Sequence, residues 1–161
     1  MFSGLCRELS RQATPALLAA GFSAPPHEFG RDETNYDFKR DAPDGRHVLS
    51  IMFDKYRNPH FSVQLHVEPK LGIKHMIESG GVLLVGYLSA SYRPWPLDLA
   101  LFSAEPSLWQ RIIGRNTAQG ASAVGAFLRL MPEVEAWWKT QRSSRHILTG
   151  RTVYPGMQRA A

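Results

Sequence analysis

Between Thr34 and Val67 the apolar residues recur at every second position, and this stretch decides most of what the chain can fold into. Thr34 to Arg40 alternates, with Tyr36 and Phe38 on one side and Asn35, Asp37 and Lys39 on the other. Ala42-Pro43-Asp44-Gly45 reads as a hairpin turn, because Asp-Gly readily supplies the positive φ that tight hairpins need. His47 to Tyr56 follows as a second strand with Leu49, Ile51 and Phe53 inward, and Arg57-Asn58-Pro59 turns the chain again. Phe61, Val63, Leu65 and Val67 then alternate with Ser62, Gln64 and His66 to give a third strand. Three strands on short connections predict an antiparallel meander with one face on a core and one in water.

Helical periods surround the meander. Phe2, Leu5, Cys6, Leu9 and Ala13 share one face of an opening helix, with Thr14 read as an N-cap, Pro15 at the first position of a restarted helix and Gly21 as its stop. Lys70 to Ser79 predicts a short helix closed by Gly80-Gly81, and Val82 to Tyr92 a strand covered on both sides, broken at Arg93-Pro94-Trp95-Pro96. Trp95 is assigned to the core. Helices are expected over Glu105 to Ile113, over Thr117 to Leu130, and from Pro132 through Val134, Trp137 and Trp138. The expected fold is α+β: an antiparallel sheet of about four strands, the meander plus one central strand, with N- and C-terminal helices packed on one face. A chain of 161 residues, 43% hydrophobic, suits one domain. Its single cysteine, Cys6, excludes an internal disulfide and a cysteine-based zinc site, and lies on the apolar helix face as an inert core residue.

The charge is unevenly placed. Nineteen Lys and Arg stand against 14 Asp and Glu, and five of the basic residues, Lys139, Arg142, Arg145, Arg151 and Arg159, follow Trp138, where there is no carboxylate. The body is therefore neutral and the excess of +5 belongs to the last stretch. This divides the chain into a domain over 1–138 and a solvated basic tail over 139–161, in which Arg142, Arg145 and Arg151 are the candidate nucleic-acid contacts. The most apolar run, Val82 to Ala90, is about half the roughly 20 residues of a helical membrane span. The N-terminal apolar run is too short and too acidic at Glu8 for a secretion signal, so a cytoplasmic location and no membrane partner are expected.

Catalytic and metal motifs fail on geometry. His60 and His66 share a face of the third strand but stand about 20 Å apart along it, too far for one zinc. Gly120 to Gly125 has the glycine spacing of a phosphate loop, but Ala126 and Phe127 fill the Lys and Ser/Thr positions. Asp37-Phe38-Lys39 has the Asp-x-Lys spacing of restriction-type nucleases, with Asp54 as the further carboxylate, yet an exposed hairpin shows the same pair for solvation alone. No catalytic residue, metal ligand or cofactor site is assigned. The outward face of the meander is the most informative surface: Asn35, Asp37, Lys39, Ser50, Met52, Asp54, Ser62, Gln64 and His66, with Tyr56, Arg57 and His60 at one rim. Asp37, Lys39, Met52, Asp54, Tyr56, Arg57, His60, Gln64 and His66 are the candidate contacts to a protein partner.

The order of a helix ending in Gly21-Phe22, the strand Tyr36-Asp37-Phe38-Lys39-Arg40, the Asp-Gly hairpin, Val48 to Phe53, Phe61 to Val67, and a helix opening Leu130-Met131-Pro132-Glu133-Val134-Glu135-Ala136-Trp137 resembles a family of small bacterial α+β domains of unknown function. Some members stand beside polymorphic or contact-dependent toxins as immunity proteins. The similarity extends to about Trp138 and brings no catalytic residues with it. It implies a non-enzymatic, protein-binding domain that occludes a toxin or effector. The alternative is a nucleic-acid-associated protein working through the basic tail.

Overall fold

The computed structural model describes residues 2–30, 33–90, 101–103 and 119–154. The expected helix over Glu105 to Ile113 and the setting of Trp95 lie outside these residues.

The chain opens with α1 (Phe2–Glu8), a π-helical turn over Leu9–Ala13 and α2 (Thr14–Ala19), which run on without a break. Leu5, Leu9, Ala13 and Leu17, four residues apart, are all buried. Thr14 is not the N-cap expected: Ala13 precedes it in helical conformation, and the Thr14 N–H donates to the Leu9 carbonyl five residues back. The cause is Pro15, which has no N–H for the usual bond; widening the preceding turn by one residue carries the helix past it. Gly21, at φ 87°, ends α2, with the Gly21 and Phe22 N–H groups donating to Leu18 and Leu17.

The meander follows as β1 (Asn35–Ala42), β2 (Gly45–Met52) and β3 (His60–Glu68), each antiparallel to the next. Ala42 pairs with Gly45 around a Pro43-Asp44 corner. Gly45 stands at φ 148°, where an added Cβ would lie 2.4 Å from the Glu68 carbonyl oxygen, so the turn requires glycine. α3 (Gly72–Ser79) ends at Gly80 in the left-handed region and leads into β4 (Val82–Leu88). β4 is central, between β3 and a further strand, but it is not covered on both sides: Val82 and Tyr87 are exposed. β5 (Leu101–Ser103) pairs with β3 beyond the point where β4 leaves it.

Two helices, α4 (Gln119–Arg129) and α5 (Met131–Thr140), precede the last strand, β6 (Ile147–Val153), which pairs antiparallel with β4. The order is β1-β2-β3-β4-β6, with β5 on β3. The antiparallel α+β class is as expected, but the division after Trp138 is corrected: α5 crosses it, and β6 is part of the sheet rather than a solvated tail. Pairing with β4 along its full length gives Arg151 and its neighbours a backbone framework that composition does not reveal.

α1, α2, α4 and α5 lie on the face that carries Tyr36, Phe38, Leu49, Ile51, Phe61, Val63, Leu65, Leu88 and Ile147. Phe61, Phe102 and Phe127 meet with ring centroids 5.1 to 6.0 Å apart. Trp137 lies against Gly86, where a Cβ would stand 2.8 Å from the indole, and donates its N–H to the Thr149 hydroxyl at 2.9 Å. Gly120 approaches the Leu5 backbone just as closely as a small residue allows, a Cβ there standing 3.3 Å from the Leu5 Cα. Gly120 thus serves helix packing at the start of α4. Burial pushes the Cys6 thiol up to about 11, in keeping with an inert core residue.

Candidate binding surface

The register carries side chains across the outer face in rows. Asp37 opposes Ser50, Ser50 opposes Gln64, Gln64 opposes Tyr87 and Tyr87 opposes Leu148, one continuous line over five strands. A parallel line runs Lys39, Val48, His66, Val85 and Gly150. Asn35, Met52 and Ser62 make a third. The period-two pattern read from the meander thus brings Asp37, Lys39, Met52, Gln64 and His66 onto one surface.

That surface is drier than expected. Val48 is 1% and Ser50 5% exposed, and Asp37, Lys39, Met52, Gln64 and His66 are half-buried. Ser50, assigned to the wet face, is shut between its larger register neighbours and donates its hydroxyl to Asp37 Oδ1 at 2.7 Å. Burial, aided by Lys39, holds the His66 imidazole below its ordinary value against the opposing pull of Asp37 and Glu68, so His66 is neutral near pH 7. Exposure rises at the far end of the first row, where Tyr87 is 38% and Leu148 46% exposed. Sequence reasoning missed both: Tyr87 was hidden in a nearly continuous apolar run, and Leu148 in a presumed tail. The pairing of β4 with β6 is what makes them neighbours.

Asp54, Tyr56, Arg57 and His60 lie at the turn between β2 and β3, as expected, but Asp54 is not free to meet a partner or a metal. It accepts the Tyr56 and Asn58 N–H groups at 3.0 Å and the Asn58 side-chain amide at 2.5 Å, and lies 3.3 Å from His60 Nε2. These contacts, the Asn58 backbone bond foremost, hold its carboxyl below the usual range. Asp54 also follows Ser50, the register partner of Asp37, by four residues, about 13 Å along a strand, which removes it from a shared metal site. The turn instead displays Tyr56, 74% exposed, with the Lys55 ammonium 4.9 Å from its ring.

Sequence reasoning also missed a cluster on the opposite face. The Arg40 guanidinium lies 4.5 Å from the Phe22 ring centroid and 5.2 Å from that of Trp138. It grips both Glu135 oxygens at 2.9 Å and donates to the Ala20 carbonyl. Its Nη2 donates to His47 Nδ1 at 3.3 Å, so the ring proton is on Nε2, which donates to Asp44 at 3.0 Å. The imidazole lies flat on Trp138, centroids 4.9 Å apart. A groove of about 580 Å³ opens beside this cluster, and of the charged groups that line it Arg40 is paired with Glu135, His47 with Asp44, and Asp41 with Arg46 outside it.

Glu133 forms a third cluster. Its carboxylate accepts His146 Nδ1 at 2.6 Å, the Ser144 hydroxyl at 2.8 Å and the His146 N–H at 3.2 Å. The serine is bonded to the carboxylate rather than to the imidazole, so the three groups staple α5 to the start of β6 and do not activate a nucleophile. Among the described residues no three His, Cys, Asp or Glu side chains converge as a metal-binding group, and no helix is long and apolar enough to cross a membrane.

Arg142 and Arg145 stand in the loop between α5 and β6, and Arg151 on β6 itself, all exposed. The structure therefore gathers the three candidate nucleic-acid residues along one strand and its entry loop. Comparison with protein-family models, curated proteins and solved structures finds no match for the chain.

Proposed function

We propose that this protein acts by binding and covering another protein, as an immunity-type inhibitor of a bacterial toxin or effector, and that it does so without catalysis. The observation that carries this reading is the row Asp37–Ser50–Gln64–Tyr87–Leu148, half-dry at its polar end and presenting an exposed aromatic beside an exposed leucine at the other. A desolvated centre with aromatic and aliphatic anchors is the pattern of a protein-recognition surface. The polar clusters support the same conclusion from the other side, since Asp54, Glu133 and Glu135 are each committed to contacts within the fold.

The test is capture of partners by the tagged protein in its native host, at low and high salt, beside the double variant Tyr87→Ala/Leu148→Ser. One stoichiometric protein partner is expected to survive high salt with the natural sequence. The double variant should lose at least tenfold in affinity, the worth of one anchor of about 1.4 kcal/mol, while still folding. A partner held equally by both proteins, or none at all, overturns the reading.

A further inference from the structure

The outer edge of β6 provides a second, independent surface. Its hydrogen-bonding sense is fixed by two bonds: the Ser89 N–H donates to the His146 carbonyl, and the Tyr154 N–H to the Gly81 carbonyl. In an antiparallel ladder such pairs alternate, so Leu148, Gly150 and Thr152 turn their backbone groups toward β4, while Ile147, Thr149, Arg151 and Val153 turn theirs away from it. The first of these outward groups are covered. The Ile147 carbonyl accepts the Ser144 N–H at 2.8 Å, and the Thr149 N–H donates to Ser143 Oγ at 2.9 Å. Beyond that point the Thr149 carbonyl and both backbone groups of Arg151 and of Val153 have no partner among the described residues.

The exposed charges on the segment that carries this short open edge are of one sign, and the nearby Glu133 carboxylate is taken up by Ser144 and His146. Lys139, Arg142, Arg145 and Arg151 are exposed, and no Asp or Glu occurs after Glu135. Ser143 and Ser144, which fold back on β6, lie between Arg142 and Arg145, so the arginines bracket the covered half of the edge and Arg151 stands on the open half. A second copy of β6 is a poor occupant, because two-fold pairing brings the arginines of both copies together, and like charges on adjoining strands repel. A nucleic acid would satisfy the charge but not the free carbonyls, and of the described aromatics of this segment Trp137 and Trp138 are buried and Tyr154 half-buried, which leaves no open stacking platform. An extended acidic peptide satisfies both features: main-chain pairing to the edge, and carboxylates for the arginines. We propose that the open edge of β6 takes an acidic peptide segment as an additional strand, with an Asp or Glu opposite Arg151.

The probe is a fluorescein-labelled peptide of alternating Glu and Val, titrated against the full chain by anisotropy. The same peptide with Lys for Glu and a single-stranded oligonucleotide of equal charge serve as comparisons. Val153→Pro removes an outward N–H while leaving every bond between β4 and β6 in place, and Arg151→Glu reverses the local charge. The acidic peptide is expected to bind, each variant to weaken it at least tenfold, and the Arg151 and Val153 amides to become protected from hydrogen exchange. If Val153→Pro does not fold, Arg151→Glu and amide protection decide the matter. Absence of peptide binding overturns the proposal. So does binding without protection of those amides, and so does oligonucleotide binding at least as tight as the peptide's, which assigns the arginines to nucleic acid.

Discussion

At the β1 edge of the sheet the outward carbonyl of Lys39 is covered and the arginine beside it is spent on the fold. Ser23 forms an isolated bridge to Lys39, its N–H and its hydroxyl both donating to the Lys39 carbonyl, at 2.8 and 3.0 Å. Arg40, one residue on, is held by Glu135, Ala20, His47 and two aromatic rings. At the β6 edge, two serines cover the Ile147 carbonyl and the Thr149 N–H, and the backbone of Arg151 and Val153 then has no partner among the described residues and lies among exposed cations. The two edges use the same residue types for opposite ends. An arginine clamped between a carboxylate and two rings holds the fold together, whereas an arginine beside free N–H and C=O groups stabilises little and is available to a ligand.

The largest effect that tests this contrast is Arg40→Ala. It leaves Glu135 without its bidentate partner and opens a gap between Phe22 and Trp138, at an expected cost of about 2–4 kcal/mol. Arg40→Lys keeps the charge but neither the fork nor the stacking, and should recover less than half of that loss. Urea unfolding of both variants measures it. A cost below about 1 kcal/mol for Arg40→Ala breaks the comparison, since the β1 edge would then be no better secured than the β6 edge. Arg151→Ala, by contrast, should change stability by no more than about 0.5 kcal/mol.

A smaller effect comes from the staple at the root of the β6 edge. Burial alone pushes the Glu133 carboxyl up, but the bonds from the His146 ring, the Ser144 hydroxyl and the His146 N–H outweigh it, and the group ends below its ordinary value. Because the folded value is the lower one, this stabilisation is complete above the unfolded value of 4.5 and is lost as the pH falls through the folded one. Glu133→Gln should therefore cost about 1 kcal/mol at pH 7 and progressively less as the pH falls from 4.5 toward 3. Unfolding midpoints across that interval check it. An equal cost at both ends would mean that packing, not ionisation, makes the staple.

These two regions also mark how far the sequence could be read. Local alternation is sufficient for β1 to β3, because Tyr36, Phe38, Leu49, Ile51, Phe61, Val63 and Leu65 must all reach the same core. It places Asp37, Lys39, Gln64 and His66 correctly on the other side. Pairings between distant segments leave no such trace. β6 carries one fully buried side chain, Ile147, and has a glycine and an arginine at its middle, so its own period is weak and its place depends on β4. The Arg40 cluster gathers side chains from Phe22 to Trp138, and the Tyr87–Leu148 pairing joins strands far apart in the chain. The bias of charge after Trp138 was legible from composition; its location on a sheet edge was not.

The smallest effect is also the most direct probe of the open edge. Ser143→Ala removes the hydroxyl that covers the Thr149 N–H, an exposed bond whose donor can turn to water, so global stability should fall by about 0.5 kcal/mol or less. The local consequence is larger in proportion: the Thr149 amide should exchange with solvent severalfold faster, while the Leu148 and Gly150 amides, turned toward β4, keep their protection. The edge open to pairing would then begin at Thr149 N–H rather than at its carbonyl, and the acidic peptide should bind the variant at least as tightly as the natural chain. If the three amides accelerate together, the loop holds β6 to the sheet as a whole. The two serines would then be part of the fold's fastening, as Ser23 is at the β1 edge, rather than a partial cover over a docking strand.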